Sequence, residues 1–266
     1  MQRATFRFYE ELNDFLPPER RRRAFTHAFD GTPSVKDQVE ALGVPHTEVD
    51  LILVDGEPVG FERLLRGGER VAVYPMFETL DISPVTRLRP APLRVPRFVL
   101  DVHLRTLARR LRMLGFDALW PGDVPDERLA GISITERRIL LTRDRGLLKR
   151  RAVRRGYCPR SSDPHQQVRD VVRRFDLGRL ARPFSRCIAC NAELVSARRE
   201  EIEGAVPDGV TRRHRRFSRC PACGRTYWPG SHHERMSALV ADLLGAGACG
   251  RHSPAPPEHA RGPDEP

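Results

Sequence analysis

Phe98-Val99-Leu100-Asp101 is a short apolar run that ends in a carboxylate, and Ile139-Leu140-Leu141-Thr142-Arg143-Asp144 has the same form further along the chain. Between them, leucines recur at helical spacing from Leu104 to Leu114, and Gly115 ends that helix. The further strands and helices that the pattern predicts are 116–120, 125–135, 145–154, 156–158 and 164–175. Strands that alternate with helices predict an α/β domain with a parallel sheet.

Acidic side chains follow each strand of this predicted sheet. They are Asp101, Asp126, Asp144 and Asp163, and Glu127 stands beside Asp126. In an open α/β sheet the carboxyl ends of the strands share one edge, so these acids are expected to converge there. Clustered carboxylates repel unless a cation neutralises them, and magnesium or manganese accepts such hard oxygen ligands. The pattern therefore predicts a metal site suited to phosphodiester hydrolysis. The alternative is that individual acids, Asp101 and Asp126 above all, are helix N-caps.

The segment Phe98-Val99-Leu100-Asp101 and the helix after it resemble the Mut-seven C-terminal RNase domain family, which is PIN-like. The part of the helix that carries the resemblance, with the residues that follow it, is Leu107-Ala108-Arg109-Arg110-Leu111-Arg112-Met113-Leu114-Gly115-Phe116-Asp117. The segment 139–144 resembles the second signature of that family. The resemblance implies that Asp101 and Asp144 are metal-site acids. Asp126 is the best match for the intervening acid, and Asp163 is the weakest assignment.

Basic residues flank these acids. Arg109, Arg112 and Arg143 are candidates for contacts with RNA phosphates, and the alternative is a solvated helix face or a structural ion pair. Residues 137–160 carry ten Arg or Lys against one acid, and with the run 212–219 they predict a basic groove for RNA.

Four of the six cysteines form two Cys-x-x-Cys pairs, Cys187 with Cys190 and Cys220 with Cys223. Two such turns complete a tetrahedral Cys₄ site, so we expect a structural zinc ion in a zinc ribbon, and the alternative is a pair of reduced dithiols. The stretch 220–232, which ends in Tyr-Trp-Pro-Gly-Ser-His, resembles the same family and extends the resemblance over residues 97–236.

The N-terminal third follows a different pattern. Strands are predicted at 4–8, 24–29, 49–54 and 69–74, and a capping box at Ser34-Val35-Lys36-Asp37 begins a helix that ends near Gly43. This order is similar to a β-grasp, or ubiquitin-like, domain. Gly67-Gly68 lies before the last strand and not at a free end, so sulfur-carrier chemistry is disfavoured. We expect this domain to dock a protein partner or to guide the substrate, and the alternative is an inert fused domain.

Charge separates the chain into two parts. The net charge of +11 divides into −5 over residues 1–85 and +16 over 86–266, which favours a polyanionic partner for the second part. No apolar run is long enough to span a membrane, and the N-terminus lacks the apolar stretch of a secretory signal. A cytoplasmic protein without a membrane partner is therefore expected.

These patterns predict five segments: a β-grasp domain at 1–82, a linker at 83–96, a PIN-like nuclease domain at 97–180, a zinc ribbon at 181–236 and a disordered tail at 245–266. The predicted function is a ribonuclease that uses magnesium or manganese. The alternative is a catalytically inactive RNA-binding adapter that uses the zinc ribbon and the β-grasp domain to recruit partners. The sequence does not specify which RNA is cut, whether cleavage is internal or terminal, or whether single-stranded DNA is also cut. It does not specify the oligomeric state either.

Overall fold

The N-terminal domain is a five-stranded sheet covered by one helix. The computed structural model describes residues 1–75, 86–88, 96–202, 204–207 and 209–244. The strands are β1 (Gln2–Phe8), β2 (Phe25–Phe29), β3 (Leu51–Val54), β4 (Glu57–Pro58) and β5 (Arg70–Tyr74), in the order β2-β1-β5-β3-β4. The central pair β1 and β5 is parallel and the other pairs are antiparallel. This is the α+β, ubiquitin-like arrangement that the sequence predicted.

The helix of this domain, α1 (Val35–Ala41), begins at the predicted capping box. The Ser34 hydroxyl accepts from the Asp37 amide at 3.2 Å, and the Asp37 carboxylate accepts from the Ser34 amide at the same distance. Each residue thus satisfies an amide that the first helical turn leaves without a partner.

The second domain is built on four parallel strands. They are β6 (Arg97–Leu100), β7 (Asp117–Leu119), β8 (Ile139–Leu141) and β9 (Gly156–Tyr157), in the order β7-β6-β8-β9. The helices are α2 (Arg105–Met113), α3 (Asp126–Thr135), α4 (Arg145–Lys149) and α5 (Pro164–Arg174). The α/β class with a parallel sheet is confirmed.

One helix is shorter than predicted. The basic helix expected over 145–154 ends at Lys149, because the backbone of Arg150 turns to an extended conformation with ψ 127°. This turn lets Val153 enter the core that the two domains share.

The C-terminal part is a small antiparallel sheet followed by a long helix. The strands are β10 (Val195–Ala197), β11 (Phe217–Arg219) and β12 (Thr226–Tyr227), and the helices are α6 (Val210–Arg213) and α7 (Ser231–Leu244). Val240 and Leu243 of α7 are buried in the core of the second domain, so α7, which was not predicted from the sequence, returns to the parallel sheet. The predicted tail at 245–266, and all of the predicted linker except 86–88 and 96, lie outside the described residues.

The two faces of the parallel sheet are covered differently. Leu107 and Leu111 of α2 pack on one face together with α5. On the other face Val99 and Leu140 share one core with the N-terminal domain. The N-terminal domain is therefore a layer of the same folded body. No helix in the described segments is long and apolar enough to cross a membrane.

Candidate nuclease edge and cysteine cluster

The carboxyl edge of the parallel sheet is organised around one buried hydroxyl. Thr142 follows β8 and is fully buried, and its hydroxyl donates to the Asp101 carboxylate at 2.7 Å. The same oxygen accepts from the Asp144 amide at 3.0 Å. Because β6 and β8 are paired in parallel, one side chain fixes Asp101 and the loop that carries Asp144.

The other two acids lie at helix starts on the same side of the sheet. Asp163 follows β9 and accepts from the amides of His165 and Gln166 at the start of α5. These backbone hydrogen bonds, that of His165 above all, outweigh desolvation and lower the pKa of Asp163. Asp126 is the first residue of α3, and its carboxylate lies 3.4 Å from the Arg150 guanidinium.

The helix-cap alternative is realised, but at different acids from those expected. Asp101 and Asp126 make no side-chain cap bond. Asp144 caps α4 by accepting from the amides of Gly146 and Leu147 at 2.7 and 3.3 Å, and Asp163 caps α5. Two of the four candidate metal ligands are therefore hydrogen-bonded to backbone amides. The four carboxylates share an edge, yet among the described residues they do not form a set of three ligand atoms within 4.8 Å of one another.

The predicted phosphate-binding arginines divide into two kinds. Arg109 and Arg143 are exposed. Arg112 is only 4% exposed, so its assignment as an RNA contact is corrected. Its guanidinium donates to the carbonyls of Ala118, Ile188 and Ala189 at 2.8, 3.2 and 2.8 Å. Arg112 thus joins the parallel sheet to the first cysteine turn.

All four cysteines of the Cys-x-x-Cys pairs come together. The sulfurs of Cys187, Cys190, Cys220 and Cys223 lie within 4.8 Å of one another. Each turn closes in the same way: the amide of Cys187 donates to Ala192 and that of Cys220 donates to Arg225. Such a thiolate set fits a metal ion such as zinc.

The electrostatics of the cluster also fit a cation. Burial opposes ionisation of Cys187, but hydrogen bonds from the Tyr227 hydroxyl, 3.0 Å away, and from backbone amides outweigh it and lower its pKa to about 6. Burial and the neighbouring thiols raise the pKa of Cys190 to about 12. One thiolate therefore disfavours the next, and a bound cation removes that repulsion.

A charged network beside Arg112 was not predicted from the sequence. Asp117 pairs with Arg138 at 2.6 Å and with Arg97 at 3.0 Å, and it accepts from the Asn191 amide nitrogen at 2.7 Å. Burial raises the pKa of Asp117, but these partners outweigh it and lower the pKa to about 2. Asn191 has φ 74° directly after the first cysteine turn, a conformation that favours Asn or Gly.

The N-terminal domain contacts the same edge of the sheet. Glu48 is fully buried, accepts from the Cys158 amide at 2.6 Å and pairs with Arg160 at 3.4 Å. The guanidinium groups of Arg145 and Arg160 both lie over the Phe15 ring, at 4.9 and 4.8 Å from its centre. Arg145 directly follows Asp144, so this domain borders the candidate site.

Comparison with known proteins agrees with this architecture. The human exonuclease mut-7 homolog is 40% identical over 108 residues, which are 38% of this chain and 12% of that relative. No solved structure matches the chain. The family described as "Mut7-C ubiquitin" matches residues 1–81, and the family described as "Mut7-C RNAse domain" matches residues 96–240. The chain therefore belongs to the Mut7-C RNAse domain family, with a Mut7-C ubiquitin domain at its N-terminal end.

Proposed function

We propose that this chain is a metal-dependent ribonuclease whose site lies at the carboxyl edge of the parallel sheet. The observation that carries the proposal is the link Asp101–Thr142–Asp144, in which a buried hydroxyl donates to the Asp101 carboxylate and accepts from the backbone amide of Asp144, beyond the neighbouring strand. Membership of an RNase domain family and the basic character of residues 86–266 support it.

Asp101, Asp126 and Asp144 would hold magnesium or manganese, with Asp163 as a possible fourth acid. Their oxygens suit a hard cation, which supplies an activated water and stabilises charge on the phosphate. Asp144 is exposed, so a cation held there would be open to a phosphodiester from solvent, while Thr142 keeps Asp101 oriented. Arg109 and Arg143, both exposed, are the proposed phosphate contacts.

The cysteine cluster has a separate proposed role. We infer that it holds a structural zinc ion, because four protein sulfurs complete a tetrahedral site and leave no position for a substrate. Free thiols of this kind suit the reducing cytoplasm.

The test compares cleavage of labelled single-stranded RNA, with added manganese, by the wild type, Asp144→Asn and Asp176→Asn. Asparagine caps helices as well as aspartate does, so Asp144→Asn should lose cleavage without unfolding. Asp176 is the matched control because it lies at the far end of α5, where φ 45° suits asparagine. Equal cleavage by wild type and Asp144→Asn would refute the site.

One observation favours a second function, an RNA-binding adapter without catalysis. Asp144 and Asp163 are already hydrogen-bonded to helix amides, and Asp126 is paired with Arg150. Salt-sensitive RNA binding without cleavage under any divalent cation would support the adapter.

A further inference from the structure

Among the described residues, one face of the N-terminal sheet carries a groove that is lined by residues of this domain alone. Along β1 the side chains of Ala4, Phe6 and Phe8 are buried, so Arg3, Thr5 and Arg7 point to the opposite face. The outward residues of β5 are Arg70, Ala72 and Tyr74. A groove of about 480 Å³ crosses this open face, and its lining includes Thr5, Arg7, Tyr9, Asp55, Arg70 and Ala72.

Charge is segregated between the two faces of this domain. Glu11, Asp14 and Glu48 pair with arginines of the nuclease domain on the docking face. The open face instead presents Arg3, Arg7 and Arg70, all exposed. In the part of the chain that the structure describes, no carboxylate lies within 4.0 Å of their guanidinium groups. Asp55 is the carboxylate among the groove-lining residues, and it accepts from the Arg70 amide at 2.8 Å. The three arginines outnumber it, so a domain that is acidic as a whole shows an arginine-rich face to solvent.

The same face carries a layered stack of flat groups. The rings of Tyr9 and Tyr74 stack with centres 4.2 Å apart and planes 12° apart. The guanidinium of Arg7 lies over the Tyr9 ring at 4.9 Å from its centre. Bases of single-stranded RNA stack on aromatic rings and on arginine planes, and sheet surfaces with exposed aromatics are a known platform for them.

We propose that this open face, defined by Arg3, Arg7, Tyr9 and Arg70, binds a segment of single-stranded RNA. Phosphates would pair with the arginines, and a base would stack against the layer formed by Arg7 and Tyr9. An acidic peptide would use the arginines but would gain nothing from the flat layer, so RNA is the better match. The inference rests on the proposed function only in that this RNA is also the nuclease substrate.

The test measures fluorescence polarisation of a short labelled single-stranded RNA with the full chain and no added divalent cation. The double variant Arg7→Glu/Arg70→Glu is compared with Arg63→Glu/Arg66→Glu, which makes the same charge change at exposed positions of the same domain outside the groove. We expect the groove variant to bind RNA about tenfold more weakly than the control variant, because it loses one stacked base and two phosphate contacts. Its logarithmic salt slope should fall by about 1.4.

Three results decide the proposal. Equal RNA affinities for the two double variants would overturn it. Binding of polyglutamate is measured in the same way. If the groove variant lost polyglutamate binding but bound RNA as tightly as the wild type, the proposal would also be overturned, in favour of an acidic protein partner. If the groove variant does not fold, ultraviolet crosslinking of RNA to the wild type decides, because the proposal requires crosslinks within 3–9. Since binding is measured without metal, failure of the cleavage assay leaves this test unaffected.

Discussion

The bracing role of Arg112 leads to a quantitative prediction. In Arg112→Met the aliphatic stem keeps its volume, but the carbonyls of Ala118, Ile188 and Ala189 lose a charged donor. A buried acceptor left without its partner costs about 1–3 kcal/mol, and relaxation reduces the sum for three of them. We expect the unfolding free energy to fall by about 3–5 kcal/mol, as when one side of a buried charged contact is removed.

The matched control is Arg109→Met. Arg109 lies on the same helix and is exposed, so the same change there should alter stability by no more than about 0.5 kcal/mol. Stability is measured by urea unfolding, and release of metal from the cysteine cluster to a chromogenic chelator is followed in parallel. Because Arg112 holds the backbone of the first cysteine turn, Arg112→Met should also release metal faster.

A different outcome would refute this reasoning. If Arg112→Met unfolded at the same urea concentration as Arg109→Met and kept its metal equally well, the guanidinium would not brace the two parts. A folded Arg112→Met that lost RNA affinity would restore the phosphate-contact interpretation.

Three further predictions concern the same architecture. The pKa of Asp117 is lowered from 3.8 to about 2, so its ionised form stabilises the fold above about pH 4. This contribution, about 2 kcal/mol, should be lost as the pH falls toward 2. Acid titrations of the unfolding free energy should show the loss in the wild type and not in Asp117→Asn. Gly115→Ala should lower the melting temperature, because φ is 93° and the new Cβ would lie 2.1 Å from a backbone oxygen, whereas Gly131→Ala, a helix position with open space, should not. Glu48→Gln should loosen the N-terminal domain and speed its proteolysis, with the exposed Glu57→Gln as control.

Much of the fold could be predicted from local sequence patterns. The alternation in β1, the capping box of α1 and the strands before Asp101 and Asp144 lie where the sequence indicated. These features depend on neighbouring residues, so periodicity and spacing are sufficient to find them. The cysteine cluster was predictable for a related reason: each Cys-x-x-Cys turn is local, and two of them can complete one site.

Long-range contacts were not accessible in this way. His46 approaches the Val153 carbonyl at 2.8 Å across 107 positions, and Glu48 meets the Cys158 amide across 110. No period or motif marks such pairs, so the docking of the N-terminal domain was missed. The early end of α4 has the same cause, because Val153 is drawn into the shared core.

The sequence identified the candidate acids but not the hydrogen-bond partners that they have in the structure. An aspartate after a strand is compatible with a metal ligand and with a helix cap, and sequence cannot separate the two. Asp144 and Asp163 cap helices in the structure, while Asp101 instead accepts from Thr142. The choice depends on where each helix starts relative to its acid, which is set by tertiary packing.

The contacts made by the segment Leu107–Asp117 indicate a structural role for this signature. Arg112 holds the carbonyls of the first cysteine turn, and Asp117 binds Asn191 directly after it. Gly115 faces the Arg182 carbonyl so closely that a side chain cannot fit. This signature therefore specifies the junction between the sheet and the cysteine cluster. A match to it in another chain transfers that architecture, whereas under the proposed function the transfer of nuclease activity depends on the acids of the sheet edge, Asp101 and Asp144.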